Sequence, residues 1–172
     1  MEEWIWIAAS IIAGLIIFSL AYNQIVQMNV AITEQKSLEQ FEEIANIVNN
    51  LCWSFAGNKR EYRVALSENV EGIYAAKTPY EKYRREELID YILLPQNSFG
   101  NYLCIQITNK RTKCKELDCN TSIPFIGSVP EKFSLSMLVN KLMGKGKVSE
   151  YLLHFVREAN QVSIFYGAIS QP

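Results

Sequence analysis

The feature that most constrains this chain is the stretch from Trp4 to Tyr22, WIWIAASIIAGLIIFSLAY, nineteen residues without a single charge. Ser10 and Ser19 are its only strongly polar side chains. At a helical rise of about 1.5 Å per residue the stretch covers roughly 29 Å, close to the ~30 Å hydrocarbon layer of a bilayer. Trp4 and Trp6 stand at one end and Tyr22 at the other, as expected of rings that settle among lipid headgroups. The pattern predicts a transmembrane helix over residues 1–23. A cleavable signal would need a basic start, a shorter apolar run and a small-x-small exit. Met-Glu-Glu is acidic and the run is long, so a retained single-pass anchor is expected. Orientation is not written in the charges, because Lys36 is the only basic residue close enough for the positive-inside rule to count.

The remaining ~150 residues suffice for one domain with its own core. A formal net charge of −1 leaves no excess of cations to displace counterions from phosphates, which argues against a nucleic-acid partner. After Tyr22 helical spacing continues with no Pro or Gly until Gly57. Ile25, Met28 and Ile32 fall on one stripe, followed by Leu38, Phe41, Ala45, Val48 and Cys52 at three- and four-residue steps. Glu34, Gln35, Lys36, Glu39, Gln40, Glu42 and Glu43 fill much of the rest as a solvated surface. Residues 24–56 therefore read as an amphipathic stem helix in one rod with the anchor, closed by Gly57. Phe41, Ala45 and Val48 should be buried against a sheet, with Glu39 and Glu43 left in water.

Residues 57–172 read as a β-rich head packed on that stem, an α+β fold. Tyr62, Val64 and Leu66, then Val70, Ile73 and Tyr74, suggest a hairpin around Ser67-Glu68-Asn69. A short amphipathic helix is expected over 80–94, ending before Pro95. A second hairpin is predicted from Tyr102 to Leu117 around Asn109-Lys110-Arg111, and a third from Tyr151–Val156 and Val162–Tyr166. Between them, Phe133 to Met143 is expected to form a helical turn or irregular core segment, broken at Gly144-Lys145-Gly146.

Chemical groups are sparse. His154 lies inside the apolar strand Tyr151-Leu152-Leu153-His154-Phe155 with no local partner pattern of the kind nucleophilic catalysis needs, so a solvent-facing or hydrogen-bonded strand histidine is expected. The pairs Glu42-Glu43 and Glu86-Glu87 read as solvated helix faces. Four cysteines, Cys52, Cys104, Cys114 and Cys119, lack the tight C-x2-4-C knuckles of a zinc site and favour disulfides in an oxidising space. Order alone does not fix the pairing. The short loop favours Cys114 with Cys119, leaving Cys52 to tie the helix to the strand at Cys104. Asn120-Thr121-Ser122 is a glycosylation sequon. Phosphate-binding loops, nucleophile elbows and helical metal motifs are missing from the sequence, so neither a cofactor nor a metal is expected and the chain reads as non-enzymatic.

Glu2 and Glu3 before the apolar run, the uninterrupted stem to Cys52-Trp53 and the following Tyr62-Arg63-Val64-Ala65-Leu66 strand give a pattern that resembles the type IV pilin-like proteins, most closely their archaeal members. It covers roughly the first 75 residues and is architectural rather than a sharp motif. Pilin precursors carry a short basic leader before the apolar segment. Its absence from this sequence leaves a mature form or a membrane-retained, unprocessed relative as the expectations. The resemblance implies a structural or accessory subunit of a cell-surface or membrane assembly, with an extracytoplasmic head. Helices would bundle through Ala8, Ala9, Ala13 and Gly14 as homo- or hetero-oligomers in lipid, and Glu2 or Glu3 would pair with a neighbour's N-terminal amine. The alternative is a single-pass membrane-anchored binding module, or an accessory subunit of a larger membrane complex.

Overall fold

The computed structural model describes residues 2–94, 96–128 and 148–167, with all their side chains except those of Glu2, Glu3, Ile5, Ala8 and Val30. The chain divides into two compact units, Met1–Thr33 and Glu34–Pro172. Helix α1 (Glu2–Cys52) begins in the first and ends in the second. The first unit consists, in its described part, of helix alone.

In the second unit the end of α1 packs on a six-stranded sheet, an α+β arrangement. The strands are β1 (Lys59–Ser67), β2 (Val70–Ala76), β3 (Asn97–Ile107), β4 (Lys113–Pro124), β5 (Val148–Arg157) and β6 (Gln161–Gly167), with helix α2 (Arg85–Leu93) between β2 and β3. Their spatial order is β1-β5-β6-β4-β3-β2. Neighbours are antiparallel except β4 and β6, which pair in parallel over Asn120–Ser122 and Gln161–Ser163. Five strand spacings would set β1 and β2 about 24 Å apart in a flat sheet. Only Glu68 and Asn69 separate Ser67 from Val70, a link of at most about 11 Å. The sheet is therefore rolled until its two edge strands meet at that end.

The stem helix lies in the resulting trough. Phe41, Ile44, Ala45, Val48 and Leu51 are at most 2% exposed and join Val64, Leu66, Leu103, Ile105, Leu153 and Phe155 in one core. Burying each large apolar side chain contributes about 2 kcal/mol before the entropy of ordering it is set against the gain. Glu39 and Glu43 are exposed, so the apolar stripe from Phe41 to Val48 faces the sheet as expected. Ile44 and Leu51 widen it.

Four local expectations are corrected. The first predicted hairpin contains two real strands that do not pair: β1 pairs with β5, and β2 with β3. Two-residue hairpin turns need positive φ at one or both central positions, otherwise the strands splay. Among the described residues the only non-glycine with positive φ is Asn109, at 60°, so Glu68-Asn69 turns the chain without folding β2 back on β1. The helix expected over 80–94 begins at Arg85, where the Arg84 amide donates to Glu87 Oε2 at 3.0 Å and caps the first turn. The stem helix ends at Cys52, and Gly57, at φ 88°, instead turns the chain into β1 with its amide donating to the Arg157 carbonyl at 2.7 Å. In the sequence Asn58-Lys59-Arg60 reads as a short basic turn, whereas Lys59 and Arg60 open β1. The other two hairpins form, β3 with β4 and β5 with β6. The segment expected around Phe133–Met143, with its break at Gly144-Lys145-Gly146, lies outside the described residues.

Both sheet edges are partly covered, which removes the hazard of open strand edges there. On β1 the outward amides of Ala65 and Ser67 donate to Gln40 Oε1 at 3.0 Å and Ser37 Oγ at 3.3 Å. On β2, Ile73 exchanges backbone bonds with Ile126, and the Ser128 amide donates to the Val70 carbonyl.

Candidate interaction surfaces and the disulfide frame

All four cysteines are paired, but as Cys52–Cys119 and Cys104–Cys114. The expected links Cys114 to Cys119 and Cys52 to Cys104 are wrong for a geometric reason. Cys114 and Cys119 lie on one strand, β4, where five residues of regular strand span about 17 Å and place the side chains on opposite faces. A disulfide needs Cα atoms within about 7 Å. Cys104 and Cys114 are instead direct cross-strand partners, with Cα atoms 4.1 Å apart. Between the pairs Gly100↔Thr121 and Tyr102↔Glu116, β4 inserts Leu117 to Asn120 opposite Asn101 alone. That bulge brings Cys119 to the helix end at Cys52, Cα to Cα 5.7 Å.

A polar row along α1 ends beside the Cys52–Cys119 bridge. Glu34 pairs with Lys110, Glu42 with Lys115 at 2.6 Å, and Asn46 accepts from the same ammonium at 3.1 Å. Asn49 Oδ1 accepts the Asp118 amide at 3.1 Å, and Trp53 Nε1 donates to Asp118 Oδ2 at 2.8 Å. Glu34, Glu42 and Asn49 recur at steps of eight and seven, so they form a polar stripe beside the apolar one. In the sequence these carboxylates look only solvated, and their spacing is the one local signal of the stripe.

The opposite, outer face of the sheet carries a second core. Tyr74, Ala76, Cys104 and Phe125 pack there with Leu88 and Ile92 of α2. Tyr83 meets Tyr74 edge-on at 4.9 Å and Phe125 at 5.3 Å. The Tyr74 hydroxyl donates to the Glu81 carbonyl at 2.8 Å, and the Tyr83 hydroxyl donates to Glu81 Oε1 at 2.6 Å. Burial, then the nearby Glu81 charge, pushes the Tyr74 phenol up to about 12, against a smaller opposing effect of the neighbouring Thr112 hydroxyl. Burial, then the hydrogen bond to Glu81 and its charge, raise Tyr83. This cluster holds α2 and the Cys104–Cys114 bridge in place.

His154 Nδ1 lies 3.1 Å from Glu61 Oε1 on exposed sheet surface. Glu86 and Glu87 are exposed in the first turn of α2. Among the described residues no three His, Cys, Asp or Glu side chains gather as a metal site. Asn120 is exposed at the end of the β4 bulge, while Thr121 beside it is fully buried. The sequon asparagine is therefore accessible on the folded surface.

In the first unit every described side chain from Trp4 to Ala21 is exposed, including Ala9, Ala13 and Gly14. Ile11, Leu15, Ile17 and Phe18 are 58–70% exposed. Ile25, Met28 and Ile32, expected to extend the buried stripe, are exposed as well. A Cβ added at Gly14 would meet nothing within 4 Å. Nothing is described of the Glu2 and Glu3 side chains, so those assembly candidates lie outside the described residues. Among the described residues one helix is long and apolar enough to cross a membrane, with mean hydropathy 1.8 in its most apolar eighteen-residue window and none of that window buried.

A cleft of about 490 Å³ lies between the end of α1 and the start of β1, lined by Glu43, Ile47, Asn50, Arg60, Glu61 and Tyr62 among others. Burial, then the Glu43 charge, raises the Tyr62 phenol. With this geometry in view, no protein-family model, curated protein or solved structure matches the chain.

Proposed function

We propose that this chain is a non-enzymatic structural or accessory subunit of a pilin-like assembly at the cell surface or in the membrane. Its first unit would be the single-pass anchor and assembly helix, and its second unit an extracytoplasmic head. The observation that carries the reading is the exposed helix surface from Trp4 to Ala21. A contiguous apolar surface of that length is far larger than soluble monomers leave in water, and lipid or neighbouring helices must cover it. Ala9, Ala13 and Gly14 are small enough for helices to approach closely there. The two disulfides support an oxidising compartment for the head. An architecture of long apolar helix followed by an antiparallel-rich sheet is consistent with the pilin-like, archaeal resemblance.

Electron microscopy of the native material, extracted in mild detergent, tests the reading. Filaments or closed multi-chain particles are the expected result. Single-chain particles at native abundance would contradict it and favour the membrane-anchored binding module.

A further inference from the structure

The free edge of β1 ends its cover abruptly. The Arg157 amide donates to the Asn58 carbonyl at 2.9 Å, and the register sets Arg60, Tyr62, Val64 and Leu66 in the same alternation toward β5. The outward-facing amides of that strand are therefore those of Lys59, Glu61, Arg63, Ala65 and Ser67. Gln40 and Ser37 take the last two. Farther along the strand a cleft lies between it and the helix. Among the described residues no hydrogen bond reaches the outward amides of Lys59, Glu61 or Arg63.

We infer that this edge is a strand-addition site for an extended segment of another protein, five residues long, with the pattern acid-x-base-x-acid. The backbone supplies three outward N–H groups with their carbonyls, the pairing mode of β-augmentation. Lys59, Glu61 and Arg63 are exposed on one face of the strand, and directly opposed residues on an added antiparallel strand would meet them. Complementarity then calls for carboxylates opposite Lys59 and Arg63 and a cation opposite Glu61. A second copy of β1 fits less well. Two-fold antiparallel pairing centred on Glu61 would set Lys59 against Arg63 and Glu61 against Glu61, both like-charged and destabilising, and a register shifted by two residues opposes only two charge pairs, leaving Lys59 or Arg63 without a charged partner. No acid-x-base-x-acid segment of Asp or Glu with Lys or Arg occurs anywhere in this chain. The full three-pair match therefore calls for a different polypeptide. The inference does not depend on membrane assembly.

The test uses the full chain in detergent micelles and a labelled peptide containing Glu-Val-Lys-Val-Glu, with Lys-Val-Glu-Val-Lys as its charge-reversed control. Fluorescence anisotropy should give at least about tenfold tighter binding of the first, from three opposed charge pairs. Residue-resolved hydrogen exchange should show the amides of Lys59, Glu61 and Arg63 slowing on binding, while those of Arg60 and Tyr62, already in the ladder, do not change. Arg63→Pro removes one outward donor without touching the β5 ladder and should weaken binding. Equal affinity for the two peptides, no binding, or binding without slowed exchange at Lys59, Glu61 and Arg63 would each overturn the inference. An Arg63→Pro protein that does not fold leaves the exchange and charge-reversal arms decisive.

Discussion

Residues 4–22 and 34–52 are two stretches of equal length in one helix, and they solve the burial problem in opposite ways. The first has no charge, and its described side chains up to Ala21 all stand exposed. The second carries Glu34, Lys36, Glu39, Glu42 and Glu43 and buries Phe41, Ile44, Ala45, Val48 and Leu51 within its own chain. A helix apolar all round has no side to give to water, so its partners must be lipid or other helices. A helix with one apolar stripe needs only one sheet. The difference shows that backbone continuity does not make a helix one energetic unit; the side-chain pattern decides where each part finds its cover.

The largest effect expected from this contrast is in partition. Full-length protein should remain in the membrane pellet after an alkaline wash, whereas a chain lacking residues 1–24 should be soluble, with the circular dichroism and cooperative unfolding of an intact head. The head's core residues all lie at or beyond Phe41. An insoluble or unfolded fragment would erase the distinction between the stretches.

Next is the paired truncation of two phenylalanines. Phe41 is 2% exposed and Phe18 is 70% exposed. Phe41→Ala should cost about 3 to 5 kcal/mol in the unfolding of the head, while Phe18→Ala and Glu39→Ala should leave its midpoint where it was. Equal responses would mean that the stem stripe is not a core contact.

The disulfides sharpen the comparison because only one of them touches α1. On a chain-entropy estimate, replacing Cys52 and Cys119 by alanine, which opens a separation of 67 residues, should cost about 4 kcal/mol. Replacing Cys104 and Cys114, with a separation of 10, should cost about 3 kcal/mol. Mass spectrometry of the unreduced digest should recover both links, and a Cys114–Cys119 peptide would refute the frame.

A smaller effect belongs to the outer cluster, away from the helix. Tyr74 titrates in the fold at about 12, above the usual 10, so the native state holds a proton that the unfolded chain releases first. Its contribution is whole below pH 10 and is lost as pH rises through about 12. Tyrosinate absorbance should lag in native protein relative to denatured protein over that range. Coincident curves would show that Tyr74 is not shielded as described.

Much of this was legible in the sequence because periodicity is local. The run from Trp4 to Tyr22, the stripe of Phe41, Ala45 and Val48, and the turn that Asn109 closes in the left-handed region each depend on neighbouring residues. Pairing was not legible in the same way. β1 finds β5 through the rolling of the whole sheet, with Lys59 opposite Val156, and nothing near Glu68-Asn69 encodes that partner except the lack of a glycine that a tight hairpin would use. The cysteine pairing failed for a related reason. Closeness in sequence between Cys114 and Cys119 became distance once both entered one strand, and the bulge that delivers Cys119 to Cys52 follows from register. Of the candidate surfaces, the anchor helix was visible as composition, while the open edge of β1 required knowing which amides face outward.

The most direct test of the account is Gly14→Leu in the full-length chain, read in two ways. Nothing lies within 4 Å of the position where its Cβ would begin, so the head's unfolding midpoint should not move. If the apolar stretch packs against neighbouring helices through its small residues, sedimentation of the detergent-extracted material should shift from a multi-chain species toward single chains. An unchanged assembly, with the midpoint also unchanged, would contradict the claim that this face of the helix makes the contacts between subunits.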